Sequence, residues 1–358
     1  MFKKTAIALA CAGAYGASVP AQAVVVDADG NHEVYGFVNV SMDWAKEKNG
    51  GTASNIFLPP GSDGDIHLGD QANSRFGFRG STDLGNGLTA GYRIEIGFGT
   101  SAFNRGSVRE DAAPWDKRLA YVDLSGSFGT LRAGNQWGLL YEYLGYNTFR
   151  SHGFGGGGWY ETTKELNYDG FGLRVSDAVT YQYGGGGYSS DPFTFSAQGI
   201  FDQRNDDPFL GDETLDAYTL GAASTFGNIT VNGAYYGENN PAGTPEPELM
   251  GVGARVSLTS AFALMGTFST VDRDDGTDDV TSIDLHSEYD FGGGLTAMLG
   301  GAVGSDDTNG DLTQFFAQLQ KDLGESTLVY AEFEHATRDQ AGGDAESSVV
   351  AVGMKKSF

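Results

Sequence analysis

Apolar and polar residues alternate with a period of two along most of this chain. In Glu33–Ala45 one face carries Val34, Gly36, Val38, Val40, Met42 and Trp44, and the other carries Tyr35, Phe37, Asn39, Ser41 and Asp43. Leu88–Phe98 repeats the pattern, and alternate positions Val350, Val352 and Met354 lead to Phe358. This period is typical of β-strands with one face in apolar surroundings. Helical periodicity does not extend beyond about two turns, so the pattern predicts an all-β protein.

The connections between the predicted strands are of two kinds. Short ones are rich in Gly and Asn, which supply the positive φ of tight hairpins; they are Asp83–Gly87, Phe226–Asn228, Phe291–Gly294 and Leu323–Ser326. Long ones are acidic; they are Arg204–Asp216, Asp272–Asp279 and Asp306–Asp311. A soluble sandwich would have similar connections at both ends, whereas a transmembrane barrel has short turns opposite long external loops. We count sixteen strands, enough for a water-filled lumen, and predict a transmembrane antiparallel β-barrel.

The N-terminus has the pattern of a secretory signal peptide. Two lysines precede an apolar stretch, Ala6–Ala17, and an A-x-A site follows at Ala21–Ala23. This order predicts a signal peptide over residues 1–23 and a barrel over residues 24–358, rather than a cytosolic N-terminal helix. The single cysteine, Cys11, lies within the signal. Cleavage would leave no cysteine for disulfide or thiol chemistry.

Composition excludes several other classes of protein. The 358 residues include 22 basic and 47 acidic side chains, a net charge of −25 that becomes −27 when the two signal lysines are removed. Such a chain is a poor partner for nucleic acid, which is bound by neutralising phosphates. No apolar run reaches the roughly 20 residues of a transmembrane helix. A hydrophobic content of 40% argues against disorder.

Five parts of the sequence carry a further signal: Ser74–Gly80 with Asp83–Leu88, Arg118–Val122 through Phe128–Gly134, Leu144–Tyr146, Arg174–Tyr181 and Val352–Phe358. Together they resemble the general porins of Gram-negative outer membranes, both the enteric and the neisserial kinds. The resemblance implies a homotrimer of sixteen-stranded barrels in the outer membrane, surrounded by lipid and lipopolysaccharide. The terminal Phe358 resembles the sorting signal that the outer-membrane assembly machinery reads, although a chance Phe is the alternative.

In this family the third external loop folds inward and narrows the channel. The resemblance places that loop at about residues 138–173, and a loop of such length in a compact domain is usually functional. The implied constriction residues on the loop are Tyr141, Glu142, Arg150, His152, Glu161 and Lys164. The glycine run Gly155–Gly158 suits backbone packed closely against a wall.

Family porins face that loop with a ladder of arginines on the wall. Arg75 and Arg118 match ladder positions, and Arg174 matches an Arg-x-x-Asn-Ser-like motif in which Asp177 replaces Asn. Further implied lumen positions are Arg79 and Arg132. Arg75 and Arg79 alternate with phenylalanines, and an arginine facing lipid costs roughly 2–4 kcal/mol near mid-bilayer. The alternative is that each arginine only neutralises a nearby acid.

The loop departs from the enteric pattern in its charges. Enteric members carry acids just before the Phe-Gly-Gly of the loop, whereas residues 149–156 here contain none. Glu142, Glu161 or Glu165 could take their place. The eyelet is therefore expected to be more cationic than in enteric relatives, beneath an acidic mouth. Arginine rings favour anions and acidic rings favour cations, so ion selectivity stays open at this point.

These observations predict a passive diffusion channel for ions and small hydrophilic solutes. One alternative is a solute-specific porin for sugars or anions, with an aromatic track formed by Trp137, Tyr141, Tyr143, Tyr146 and Trp159. The other alternative is a surface receptor or adhesin barrel with a closed lumen.

An enzyme is not expected, and no cofactor is implied. None of the five histidines lies in a G-x-S-x-G or H-E-x-x-H setting. The aspartates of residues 272–279 and 306–311 could attract Ca²⁺, but neither segment has the spacing of an EF-hand. We expect solvated external loops that interact with divalent cations and lipopolysaccharide without an ordered metal site.

Overall fold

The computed structural model describes residues 24–25, 31–49, 63–70, 72–100, 103–104, 115–145, 159–166, 173–187, 189, 191–201, 215–240, 245–340 and 342–358. The predicted signal peptide, residues 1–23, lies outside the described residues, and so do Arg150, His152 and the run Gly155–Gly158.

The described chain consists almost entirely of β-strands. They are β1 (Val24–Val25), β2 (His32–Lys48), β3 (Asp63–Asp70), β4 (Arg75–Gly85), β5 (Leu88–Phe98), β6 (Phe103–Asn104), β7 (Trp115–Gly126), β8 (Gly129–Trp137), β9 (Arg174–Tyr183), β10 (Phe193–Ile200), β11 (Ala217–Phe226), β12 (Ile229–Glu238), β13 (Glu248–Ser257), β14 (Phe262–Asp272), β15 (Val280–Gly292), β16 (Leu295–Ser305), β17 (Leu312–Gly324), β18 (Thr327–Arg338) and β19 (Ala345–Ser357). Two short helices, α1 (Leu139–Tyr143) and α2 (Trp159–Thr163), lie between β8 and β9.

Sixteen of these strands close into one antiparallel barrel. Each wall strand pairs with its neighbours in the chain, and β19 pairs with β2 to close the ring. The other three strands are accessory: β1 pairs with β2, β3 pairs with β2 beyond the end of β4, and β6 adds a parallel pairing to β3. Closure removes the unpaired edges that an open sheet would present to lipid. The prediction of a sixteen-stranded barrel is confirmed.

The two faces of the wall have opposite polarity. On β2 the side chains of Val38, Val40 and Met42 are exposed, whereas Asn39 and Asp43 are buried. On β19 the exposed positions are Val350, Val352 and Met354, which are the apolar positions that the alternation predicted. An apolar outer band and a polar interior are what a barrel needs when lipid lies outside and water inside.

The two ends of the barrel also differ. Five of the hairpins are closed by two residues each, at 86–87, 127–128, 227–228, 293–294 and 325–326. In the first of them Gly85, Asn86 and Gly87 all have positive φ, as the turn chemistry predicted. Most of the longer connections lie at the opposite end, where the longest spans residues 138–173. One connection of nine residues, 184–192, joins β9 to β10 at the end of the tight hairpins. Among the described residues, no helix is long and apolar enough to span a membrane.

Adjacent residues on β17 provide a direct test of the wall orientation. Leu319 is 48% exposed on the outer face, and Gln318 is buried on the inner face beside Glu332. We expect Leu319→Lys to destabilise the barrel by roughly 2–4 kcal/mol, because it places a charge in lipid. Gln318→Lys serves as the control, since its ammonium would lie beside a carboxylate. Denaturant unfolding in lipid vesicles measures both variants, and equal losses of stability would contradict the assigned faces.

Candidate functional site: a basic wall and the loop that faces it

Six arginines on neighbouring strands form what we call the basic wall. They are Arg75 and Arg79 on β4, Arg93 on β5, Arg118 on β7, Arg132 on β8 and Arg174 on β9. Five of the six were expected from the resemblance, and Arg93 was not. Lys355 on β19 adjoins this group, with its Nζ 5.2 Å from the ring centroid of Phe37. The structure thus concentrates cationic side chains on one sector of the barrel.

Glu95 on β5 holds three of these arginines together. Its side chain is 1% exposed, and Oε1 accepts a hydrogen bond from Arg118 Nε at 2.7 Å. Arg93 Nη2 donates to Oε2 at 2.8 Å, and Arg75 Nη1 lies 3.6 Å from Oε1. The Tyr35 hydroxyl donates to Oε2 at 2.9 Å and accepts from Arg93 Nε. Without this carboxylate, three guanidinium groups would face one another in a buried site.

A β-bulge explains how Arg118 reaches Glu95. Glu95 pairs with Leu119 and Ile96 pairs with Lys117, so Arg118 is an extra residue in β7. The exposed positions of β7 include Val122 and Leu124, and strict alternation from them would turn residue 118 toward lipid. Bulges re-aim side chains in this way. The bulge places the Arg118 side chain in the interior, where it is only 5% exposed.

The remaining arginines of the wall each contact a separate acid. Arg79 pairs with Glu33, Arg174 Nη2 lies 3.4 Å from Asp116 Oδ2, and Arg132 Nη1 lies 3.9 Å from Glu142 Oε1. Every arginine predicted for the ladder therefore has an acidic neighbour, as the neutralisation alternative required. Six guanidinium groups share four carboxylates in these ion pairs. Asp123, paired with Arg132 across the strands, adds a fifth carboxylate, so arginines still outnumber the acids beside them.

Aromatic rings support the guanidinium groups. Arg75 lies over Phe37 at 4.7 Å, and Arg79 and Arg93 both lie over Tyr35 at 4.9 Å. The other three pairs are Arg132 with Tyr121 at 4.6 Å, Arg118 with Trp137 at 5.8 Å and Arg174 with Trp137 at 5.9 Å. A cation over a ring face is attracted by the ring quadrupole, and these contacts therefore help to fix where the positive charges lie.

Helix α1 joins the loop to the basic wall and to the far side of the barrel. Tyr141 stacks on Trp137 with ring centroids 4.5 Å apart. The Tyr143 hydroxyl hydrogen-bonds Ser196 at 2.8 Å, and the Leu144 carbonyl accepts from Thr267 at 3.3 Å. Burial raises the pKa of Glu142, although the nearby Arg132 acts in the opposite direction.

Helix α2 contacts the other half of the interior. The Thr162 hydroxyl hydrogen-bonds Ser269 of β14 at 2.8 Å. Glu161 and Lys164, both predicted for the constriction, pair with each other. Glu161 also pairs with Arg338 at the end of β18, and Lys164 pairs with Asp306 after β16. Glu165 pairs with Arg273 at 3.0 Å. Of the three acids that were candidates to oppose the arginines, only Glu142 contacts the basic wall in an ion pair of the described structure.

Three of the four described rings in the aromatic track proposed for a solute-specific porin are inaccessible. The side chains of Tyr141, Tyr143 and Trp159 are buried, with Tyr143 completely so. They anchor the loop by packing, and Trp137 remains partly exposed. Tyr146 lies outside the described residues.

Reasoning from sequence did not predict that Glu95 would bind three arginines. Glu95, Arg93 and Tyr35 all lie on the polar faces that the alternation identified, so parity placed them in the lumen without revealing their contacts.

Phe358, the predicted assembly signal, exchanges backbone hydrogen bonds of 3.0 Å with Gly36. In the described part of the chain, no group of three or more His, Cys, Asp or Glu side chains could hold a metal ion.

Comparisons with known proteins agree with this architecture. A family model described as Gram-negative porin matches residues 5–341. An outer membrane porin protein of Bordetella pertussis is 26% identical over 335 residues, covering 81% of this chain and 83% of that protein. The major outer membrane protein P.IB of Neisseria meningitidis is 29% identical over 128 residues, 32% of this chain. The match spans about a third of the neisserial protein, 34% of its length.

A solved structure gives the same result for the fold. An anion-selective porin from Comamonas acidovorans superposes with a TM-score of 0.74 at 19% identity, over 91% of this chain and 99% of that chain. At this level of identity the likeness concerns the fold alone. The family match covers nearly the whole sequence, and this chain therefore belongs to the Gram-negative porins.

Proposed function

We propose that this protein is a passive diffusion channel of the outer membrane for ions and small hydrophilic solutes. The observation that carries the proposal is a closed barrel whose polar interior bears a wall of arginines. Channels select by the charge of the side chains that line them. The interior offers charged and polar side chains along its length, which suits hydrated solutes rather than apolar ones.

We infer that the loop of residues 138–173 enters the barrel and narrows it. The support comes from both described helices, since Tyr143 and Thr162 hydrogen-bond the buried polar residues Ser196 and Ser269. Gly251 of β13 accommodates the loop, because a Cβ there would lie 2.5 Å from Leu144 Cδ1. Such close approach favours glycine, and it is expected where a loop lies directly against the inner wall.

We propose that the constriction favours small anions. Two of the three candidate opposing acids, Glu161 and Glu165, are occupied by cations away from the basic wall. Buried lumen acids such as Glu332 and Glu334 lie on β18, outside the basic sector. The anion-selective porin from Comamonas acidovorans shares this fold. The acidic external loops would act against this preference, mainly at low ionic strength, where screening is weak.

The other roles expected from the sequence extend this proposal. We propose cleavage of the signal peptide after Ala23, assembly into a homotrimer, and recognition of Phe358 during assembly. The external loops would contact lipopolysaccharide and divalent cations. Family members are channels, and we propose a transport role rather than catalysis for this chain. Bulk conductance distinguishes this role from a receptor or adhesin with a closed lumen.

The basic wall gives the first test. We expect the protein in a planar bilayer under a KCl gradient to show an anion-selective zero-current potential. Arg75→Ala with Arg118→Ala should shift that potential toward cations, because it removes two positive charges beside Glu95. Arg255→Ala is the matched control, since Arg255 lies on β13 and pairs with Glu288. An unchanged potential in the double variant would remove these residues from the constriction, and absence of conductance would contradict the channel itself.

Substitution of Glu95 should shift the zero-current potential in the opposite direction. Glu95→Gln should shift the zero-current potential further toward anions, because three arginines lose their shared countercharge. The barrel should also lose stability, since breaking a buried ion pair costs roughly 3–5 kcal/mol. Glu288→Gln is the control, because Glu288 is 23% exposed and pairs with a half-exposed arginine. A shift toward cations in Glu95→Gln would show that Glu95 does not offset the arginines.

The raised pKa of Glu142 predicts that ion selectivity depends on pH. Its pKa is raised, so its carboxylate takes up a proton at a higher pH than an ordinary glutamate, whose pKa is about 4.3. On acidification, loss of this negative charge beside Arg132 should increase anion selectivity, and it should do so at a pH above that at which an ordinary glutamate is protonated. Glu142→Gln should show the increased selectivity already at neutral pH, with a smaller further change on acidification. Equal pH dependence in both proteins would assign the titration to other groups.

A further inference from the structure

Six charged side chains join helix α2 to the long-loop end of the barrel, and we call them the outer clamp. Three belong to the loop between β8 and β9, two to the connections that follow β14 and β16, and one to the end of β18. They are Glu161, Lys164, Glu165, Arg273, Asp306 and Arg338. Three are cationic and three anionic, so the cluster is balanced in charge.

Glu161 is the contact between α2 and β18. Its Oε1 accepts a hydrogen bond from Arg338 Nη2 at 2.7 Å, and its Oε2 accepts one from Lys164 Nζ at 3.0 Å. Arg338 Nη1 also donates to the carbonyl of Gly310 at 2.9 Å. Gly304 of β16 leaves the space for this side chain, because a Cβ there would lie 2.9 Å from Glu161 Cγ.

Asp306 is the second centre of the clamp. It accepts hydrogen bonds from Arg273 Nη2 at 2.8 Å and from Lys164 Nζ at 3.2 Å. Arg273 Nε in turn donates to Glu165 Oε2 at 3.0 Å. Burial alone would raise the pKa of Asp306, but hydrogen bonds from Arg273 and Asn309 and the charge of Lys164 hold it well below its ordinary value. The carboxylate therefore remains ionised through the neutral range.

Because the clamp is buried, each of its charges depends on the presence of its partner. The side chains of Glu161 and Asp306 are each 1% exposed, and those of Arg273 and Arg338 are 7% and 8% exposed. Removing one member of a buried ion pair leaves its partner with an uncompensated charge, which is strongly destabilising. The attachment of α2 is thus sensitive to the loss of any one of these charges.

The loop is held differently at its two ends. Helix α1 and the residue after it pack Leu139, Leu140, Tyr143 and Leu144 into an apolar cluster with the wall. Helix α2 packs Trp159 and Tyr160 on Tyr141 of α1. Its polar contacts with β14, β16 and β18 are the ion pairs of the clamp and the hydroxyl contact between Thr162 and Ser269. Loss of a clamp charge would therefore weaken the contacts of α2 with these strands and leave the apolar contacts of α1 in place.

We propose that the outer clamp is the positioning device that holds α2 in place and keeps the channel at a constant open width. This inference rests on the proposed function as a loop-constricted channel. Loss of the clamp frees α2 to move within the lumen, and the movement produces partial closures of the open channel.

Single-channel recording of Glu161→Gln and Lys164→Gln tests the proposal. We expect partial closures to become about tenfold or more frequent in both variants, because each takes a partner from a buried charge, from Arg338 in the first and from Glu161 and Asp306 in the second. Glu346→Gln is the matched control, since Glu346 on β19 pairs with Lys48 on β2 at the same end of the barrel but is exposed. It should leave the closure frequency unchanged. Lys164 is 20% exposed, so its replacement should disturb folding less than that of Glu161. Lys164→Gln therefore tests the proposal even if Glu161→Gln fails to fold.

A disulfide distinguishes loop movement from general loosening of the barrel. The hydroxyl oxygens of Thr162 and Ser269 are 2.8 Å apart, and the sole cysteine of the sequence is Cys11. Thr162→Cys with Ser269→Cys, added to Lys164→Gln and oxidised, should restore the steady current, and reduction should bring the closures back. Closures that persist in the oxidised protein, or an unchanged frequency in the folded clamp variants, would overturn the proposal. Absence of conductance in the unsubstituted protein would instead contradict the proposed function.

Discussion

The wall of this barrel separates lipid from water with a single layer of backbone, and the rest of the structure depends on that constraint. Each strand must pair on both edges, since lipid cannot satisfy a free amide. Each strand must also present apolar side chains outward and polar ones inward. These demands leave the interior as the place where charge can accumulate. The basic wall and the outer clamp both use it, and both surround buried carboxylates with cations.

The two charged clusters differ in their balance, and this difference separates their roles. Around Glu95, arginines outnumber the carboxylate, so the site keeps a positive field that a passing solute can meet. In the outer clamp the charges are equal, so little field remains and the ion pairs serve to hold α2 in place. A single type of interaction, the buried carboxylate–guanidinium pair, therefore underlies both the proposed selection of ions and the proposed attachment of α2.

The sequence predicted the features that follow from short periods. Alternation identified the faces of β2, β5 and β19, and the placement of Gly and Asn identified the tight turns. Contacts between side chains on distant strands could not be predicted from the sequence. Parity put Glu95 in the lumen but could not show that Arg75 and Arg118 would converge on it. Glu161 and Glu165 were candidates to oppose the arginines, and they pair instead with Arg338 and Arg273, which lie more than 100 residues later in the chain.

The bulge in β7 separates two properties that a regular strand would couple. In an unbroken ladder, moving one side chain from lumen to lipid inverts every later residue of that strand. Here the extra residue absorbs the inversion, so Trp115 and Val122 both stay on the exposed face while Arg118 turns inward. Deletion of Arg118 could therefore remove one cation from the interior while the exposed side chains of β7 keep their orientation toward lipid. Insertions and deletions of one residue, which are usually destructive in a strand, become a route by which such channels could diversify.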